Sequence, residues 1–110
     1  MANQARRFEV LYRREPTFLP DPTLTVGRLR ETHKPLCLVI ATDLDDVFRK
    51  MQGEFWSPRG EMRPVIERLG LHHTSMSVGD VVYDPGLDRY FEVDVVGFRE
   101  IGRDAPERTT

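Results

Sequence analysis

The sequence contains few of the residues and motifs from which catalytic and cofactor sites are built. It has one cysteine, Cys37, so no disulfide can form within the chain, and this residue lies in an apolar run typical of a buried position. No apolar run approaches the roughly 20 residues that a membrane-spanning helix needs. Glycine-rich phosphate loops, HExxH and paired CxxC motifs are all missing. We therefore expect a protein without a cofactor, a metal site or a membrane span.

The amino-terminal residues lack the pattern of an export signal. Arg6 and Arg7 are followed by a short stretch that mixes polar and apolar residues, with no long apolar segment before Pro16. Together with the single cysteine, this pattern favours a cytoplasmic location.

Composition and charge favour one small folded domain. The chain has 110 residues, of which 39% are hydrophobic and 31% charged. The net charge is −2, but residues 1–35 hold seven Lys or Arg against four Asp or Glu. Arg13 and Arg14, like Arg6 and Arg7, could contact phosphate groups. The alternative is that these arginines are solvated residues at the ends of the first strand.

The first half of the chain predicts two strands separated by a long loop. Alternating apolar residues predict a strand over 8–12. Residues 15–35 contain four prolines and fit no regular element, so they predict an ordered loop, with a short strand or turn at Leu24–Leu29 left open. The apolar run Leu36–Ala41 predicts a central strand that is buried on both faces.

Two helices follow. The first begins near Thr42, has acidic residues at its start and ends at Gly53; the second has Pro64 in its first turn and ends at Gly70. Apolar residues at helical spacing form one stripe on each helix. The stripes consist of Leu44, Val47, Phe48 and Met51, and of Met62, Val65, Ile66 and Leu69.

The carboxyl-terminal third predicts two further strands. Val81–Tyr83 is followed by an Asp-Pro-Gly turn and a longer strand over 89–101. The predicted fold is therefore α+β: a mostly antiparallel sheet of about four strands with two helices on one face. One domain covers 1–102 and a polar tail covers 103–110. The predicted core is Leu36, Leu38, Ile40, Leu44, Val47, Phe48, Met51, Val65, Ile66, Leu69, Val81, Phe91, Val93 and Val95.

Two blocks of the chain carry motifs of a known family. In the stretch from His73 to Ile101 the matching residues are His73, Ser75, Ser77, Val78, Asp80, Val81, Val82, Tyr90, Phe91, Val93, Asp94, Gly97, Phe98 and Ile101, and in LCLVIATDLDDVFRKMQGEFWSP they are Ala41, Thr42, Asp43, Leu44, Asp45, Val47, Phe48 and Gln52. The first block resembles the YodL-like domain, a small family of phages and plasmids without a settled biochemical activity, and the second resembles the strand, helix and tryptophan loop of similar proteins. The resemblance implies a mobile-element setting and no mechanism, and the proline-rich loop has no counterpart in it.

The residues around His73 contain the side-chain types of a metal site or a hydrolytic triad. Adjacent histidines in an extended segment point in opposite directions, so His72 and His73 make a poor chelate. Ser75 and Ser77 lack the glycine-framed turn of a nucleophilic serine. We therefore expect Ser77 and Asp80 to cap backbone N–H groups at the start of a strand.

Trp56, with Phe55 and Arg59, is the candidate for an exposed recognition loop. An aromatic residue beside an arginine can anchor a protein partner or stack on a nucleic-acid base. The alternative, given equal weight, is that Trp56 covers the core.

The sequence thus favours a non-enzymatic binding or adaptor protein of a mobile genetic element. Its expected partner is a host or element-encoded protein, in counter-defence. The candidate binding residues are Trp56, Arg59, Arg13, Arg14 and His73. The alternative is a nucleic-acid-binding accessory protein that uses the basic amino-terminal third and the Trp56 loop. The sequence specifies neither the partner nor an oligomeric state.

Overall fold

The computed structural model describes residues 4–103, which form a five-stranded antiparallel sheet with short helices. This confirms the α+β class, while the predicted tail beyond residue 103 lies outside the described residues. No helix in this part of the chain is long and apolar enough to cross a membrane. The strands are β1 (Arg6–Arg13), β2 (His33–Ala41), β3 (Val81–Asp84), β4 (Arg89–Val93) and β5 (Phe98–Gly102). The α-helices are α1 (Leu29–Thr32), α2 (Leu44–Met51) and α3 (Arg63–Arg68), and single 3-10 turns cover Val26–Arg28 and Glu54–Trp56.

The sheet has one strand more than predicted, because the stretch 89–101 is two strands and not one. The strand order is β2-β1-β3-β4-β5, and every neighbouring pair is antiparallel. A turn over 94–97 separates β4 from β5: Asp94 N–H donates to the Gly97 carbonyl at 2.9 Å, and Gly97 has a φ of +67°. Glycine adopts this left-handed conformation without steric cost, so Asp-Val-Val-Gly was the sequence signal of the turn.

Strand β2 lies at the edge of the sheet, so the prediction of a central strand buried on both faces was wrong. It pairs with β1 alone, and Leu38 and Ile40 are more than half exposed instead of in the core. Pro35 is tolerated here because an edge strand has one row of N–H groups without a ladder partner. Lys50 Nζ donates to the Ile40 carbonyl at 2.8 Å and so occupies part of that edge.

The main core lies between one face of the sheet and the helices. Phe8 and Val10 of β1 pack with Val47 of α2 and Ile66 of α3. Among the predicted core residues, Val95 is exposed in the β4–β5 turn, which corrects that assignment. The buried members of this cluster are Phe8, Val10, Tyr12, Ala41, Val47, Met51, Trp56, Ile66, Leu71, Met76, Val82 and Val93.

The proline-rich segment covers part of the opposite face. Its Leu24 and Leu29 are buried against Leu11 and Val81. The sequence predicted a loop with a short strand or turn at Leu24–Leu29 left open, and the structure has helical turns over Val26–Arg28 and Leu29–Thr32. Such apolar contacts compensate for the conformational entropy of ordering a long loop. The loop is therefore part of the core of this domain.

Helix α2 begins with reciprocal side-chain capping. The Asp43 carboxylate accepts from Asp46 N–H at 2.8 Å, and the Asp46 carboxylate accepts from Thr42 N–H at 2.9 Å. These bonds satisfy backbone donors that have no partner within the helix. The acidic start of the helix is confirmed, and its cap is the side chain of Asp43, next to the predicted start at Thr42. In the first turn Asp45 is exposed and Leu44 is half-buried against the core.

Candidate protein-binding surface

Trp56 is part of the core, so of its two predicted roles the structure shows the structural one. Its exposed fraction is 9%, and its ring centroid lies 6.4 Å from that of Tyr12. The Trp56 carbonyl accepts from the Ser75 hydroxyl at 3.0 Å, which ties the loop to the segment before β3. The neighbouring Phe55 is exposed and lines a shallow depression with Arg59. An aromatic contact from this loop would therefore come from Phe55.

The two arginines at the end of β1 are engaged within the chain. Arg13 is largely buried: its Nη1 lies 3.7 Å from the Asp21 carboxylate and its Nε donates to the Glu15 carbonyl at 3.1 Å. Arg14 Nη2 donates to the Arg30 carbonyl at 3.3 Å. Contacts of this kind fix the proline-rich loop against the sheet and leave these side chains less free to bind phosphate.

His73 and Asp80 form a buried pair in the segment that leads into β3. His73 Nε2 lies 2.8 and 3.0 Å from the two carboxylate oxygens of Asp80. The His73 ring stacks on Tyr12 at 4.5 Å, and the edge of Phe18 approaches it at 6.0 Å. His72 is exposed and faces away, near Glu15, as the extended spacing predicted.

Asp80 organises the backbone around it. Its carboxylate also accepts from Arg13 N–H and Ser77 N–H, each at 2.8 Å. The capping role predicted for Asp80 is therefore confirmed. The Ser77 hydroxyl, however, donates to the Ser75 carbonyl at 3.1 Å, so its predicted role as an acceptor was wrong.

Two further buried groups have pKa values that burial shifts towards the neutral form. Burial lowers the pKa of His33, whose Nε2 lies 2.7 Å from the Gly79 carbonyl and whose Nδ1 lies 2.7 Å from the Thr32 hydroxyl. Burial also raises the pKa of Tyr12 far above its usual value, and the Tyr12 hydroxyl donates to the Thr74 carbonyl at 2.7 Å. Both side chains hold backbone carbonyl groups of the segment that leads into β3. We name the group of His33, Tyr12, His73 and Asp80 the Asp80 cluster.

The surface that best fits binding lies elsewhere, between α2 and strands β4 and β5. A five-stranded sheet is about 19 Å wide and a helix about 10 Å, so α2 leaves part of its face of the sheet open. The exposed part is two adjoining depressions of about 420 and 160 Å³ that share Asp45, Gly97 and Phe98. We name them the α2–β5 groove. Its apolar side chains are Leu44, Phe48, Leu87, Phe91, Val93, Val95 and Phe98.

Aromatic residues form much of this groove. Phe48 of α2 and Phe98 of β5 meet edge to face, with ring centroids 6.5 Å apart and an interplanar angle of 86°. Both rings are half-buried, as is Phe91, whereas Leu87 and Val95 project from the turns at either side. The rings are thus positioned by the fold and still offer apolar area to a partner.

Acidic side chains border the groove. Asp43 and Asp45 come from the start of α2 and Asp94 from the β4–β5 turn. The lining cation, Arg6, is ion-paired with the buried Asp84, and this hydrogen bond is the main reason that its pKa is raised. Among residues 4–103, no salt bridge neutralises Asp43, Asp45 or Asp94.

Sequence reasoning missed this groove because it assigned most of its apolar residues, although not Leu87 or Phe98, to the core. Phe48, Phe91 and Val95 were predicted as buried positions from strand and helix periodicity alone. The sequence carried no signal for it, since the length of α2 and the number of strands that the helices cover are set by the fold.

No protein-family model, curated protein or solved structure matches this chain.

Proposed function

We propose that this chain is a non-enzymatic protein-binding module whose contact surface is the α2–β5 groove. The observation that carries the proposal is the row of half-buried aromatic rings, Phe48, Phe91 and Phe98, flanked by the exposed Leu87 and Val95. Contiguous exposed apolar surface on a small domain is the usual signature of a protein interface. Preformed aromatic positions supply binding area at a low cost in conformational entropy.

The setting of this function follows from the resemblance to the YodL-like domain. On that resemblance, the module belongs to a mobile genetic element, and its partner is a host or element-encoded protein in counter-defence. Phe91 and Phe98, two of the groove residues, are among the positions that carry the resemblance.

Affinity capture with matched variants tests the proposal. The tagged wild-type chain is compared with a groove variant, Leu87→Ser with Val95→Ser, and with the control Leu38→Ser with Ile40→Ser on β2. Each variant replaces two apolar side chains that are more than half exposed, so both raise surface polarity in a similar way at different places. We expect a protein captured by the wild type and the control to be lost from the groove variant, and the purified pair to reproduce this loss.

A further variant, Phe55→Ser with Arg59→Ala, tests the surface predicted from the sequence. If this variant loses the partner while the groove variant keeps it, the contact surface is the Trp56 loop and not the groove. Capture of no protein, or equal capture by all variants, contradicts the proposal. Binding of DNA or RNA that weakens steeply with salt would instead support the nucleic-acid alternative.

A further inference from the structure

The α2–β5 groove differs from an ordinary apolar patch because the residues at its border carry a net negative charge. Its charged lining residues are four carboxylates and one guanidinium, which gives a net charge of −3, whereas the whole chain carries −2. The groove therefore carries local negative charge beside its half-buried aromatic residues.

The border charges lie along the groove and not at one point. Asp43 lines the larger depression with Leu44 and Leu87, Asp94 lines the smaller one with Val95, and Asp45 lines both. An apolar segment that fills the groove would thus pass between carboxylates at each end. A binding segment therefore meets negative charge before and after its apolar contacts.

Charge decides which kind of segment binds. Opposite charges attract more strongly where a partner has displaced part of the water, because the effective dielectric constant falls. Like charges are penalised by similar amounts, so nucleic acid, anionic membranes and acidic peptides are disfavoured at this surface. We propose that the groove binds a protein segment in which apolar residues are flanked on both sides by lysine or arginine. This inference rests on the proposed function and specifies the chemistry of the partner.

Two of the carboxylates can be neutralised without losing their local structure. Asp94 Oδ1 accepts from Val95 N–H at 2.7 Å, a bond that asparagine retains. Asp45 is exposed in the first turn of α2, and no hydrogen bond or salt bridge involves its side chain among the described residues. The double variant Asp45→Asn with Asp94→Asn therefore removes charge while keeping side-chain volume. Its matched control is Glu54→Gln with Glu61→Gln, which removes two carboxylates from the depression beside Phe55.

A displayed library of random peptides of about 12 residues, selected on the intact chain, tests the inference without assuming a partner. We expect enriched peptides to contain apolar clusters flanked by Lys or Arg. Their affinity should fall about tenfold in the Asp45→Asn, Asp94→Asn variant and less than about twofold in the control, and it should weaken with added salt.

Enrichment of acidic or uncharged peptides, equal binding to the two double variants, or no enrichment would overturn the inference. Failure of this inference can be distinguished from failure of the proposed function. A partner lost from the Leu87→Ser, Val95→Ser variant but fully retained by Asp45→Asn, Asp94→Asn would keep the groove as the interface and show that its partner need not be basic.

Discussion

The Asp80 cluster and the α2–β5 groove differ in how far their side chains are buried and bonded to other residues of the same chain. In the cluster, the Asp80 carboxylate accepts from two backbone N–H groups and contacts His73, and it is fully buried. In the groove, Asp45 and Asp94 have no salt bridge within the described part of the chain, and Phe98 is only half-buried.

The comparison shows that residue type alone is a poor guide to function in this protein. Histidine, aspartate and serine near His73 have the chemistry of a catalytic site, yet their hydrogen bonds hold backbone segments together. Phenylalanine, leucine and valine look like core residues, yet several of them form open surface. What separates the two regions is whether neighbouring elements cover the side chains and bond to them, which is a property of the fold. In the cluster only His73 Nδ1 is buried without a hydrogen-bond partner among the described residues.

The strongest test of the comparison is Asp80→Ala. Removing a buried carboxylate leaves Arg13 N–H, Ser77 N–H and the His73 ring without their acceptor, so we expect a loss of about 3 kcal/mol in the free energy of unfolding. Urea denaturation measures it, with Asp80→Asn as the variant that keeps part of the bonding. A loss below about 1 kcal/mol would mean that the cluster is not structural, since surface changes fall in that range.

A smaller loss is expected from Phe48→Ala, which empties a position on the border between core and groove. Fully buried phenylalanines cost about 3–5 kcal/mol when truncated. Phe48 is half-buried against Phe98, so about 2 kcal/mol is expected in the same experiment. A loss as large as that of Phe8→Ala would show that the groove is closed in solution.

The Asp80 cluster should also make stability depend on pH through His33. Burial holds its pKa below the ordinary value of 6.5, so the unfolded chain takes up the proton first as the pH falls. The contribution of neutral His33 is therefore present above about pH 6.5 and lost below it. We expect His33→Gln to lose less stability than the wild type between about pH 7 and 5.5. The exposed His72→Gln should follow the wild type; if His33→Gln does too, the buried neutral histidine is not a source of the dependence.

The smallest effect on stability is expected in the groove itself. Leu87→Ser with Val95→Ser should change the free energy of unfolding by no more than about 0.5 kcal/mol, because both side chains are mostly exposed. The same variant is expected to lose the partner in affinity capture while its thermal unfolding stays close to that of the wild type. Unfolding of this variant would place these residues in the core and remove the contrast between the two regions.

Local pattern was sufficient to predict the elements that depend on local physics. The alternation in β1, the apolar stripe of α2, Pro64 in the first turn of α3 and Gly70 at its end were all read from the sequence and are present in the structure. The capping role of Asp80 also depends on local sequence, since its carboxylate accepts a hydrogen bond from Ser77 N–H, three residues away.

Tertiary structure alone decided which strand is at the edge and which apolar residues are exposed. The run Leu36–Ala41 has the pattern of a buried strand. Whether a second strand pairs with its other side depends on distant parts of the chain, and no strand pairs there in the described sheet. In the same way, Phe91 and Phe98 have strand periodicity whether or not a helix covers them. Periodicity reports which residues share a face, and only the placement of distant elements determines whether that face is buried. For this reason the sequence determined the α+β elements of this protein, while the groove that we propose as its binding surface was determined by how few helices cover five strands.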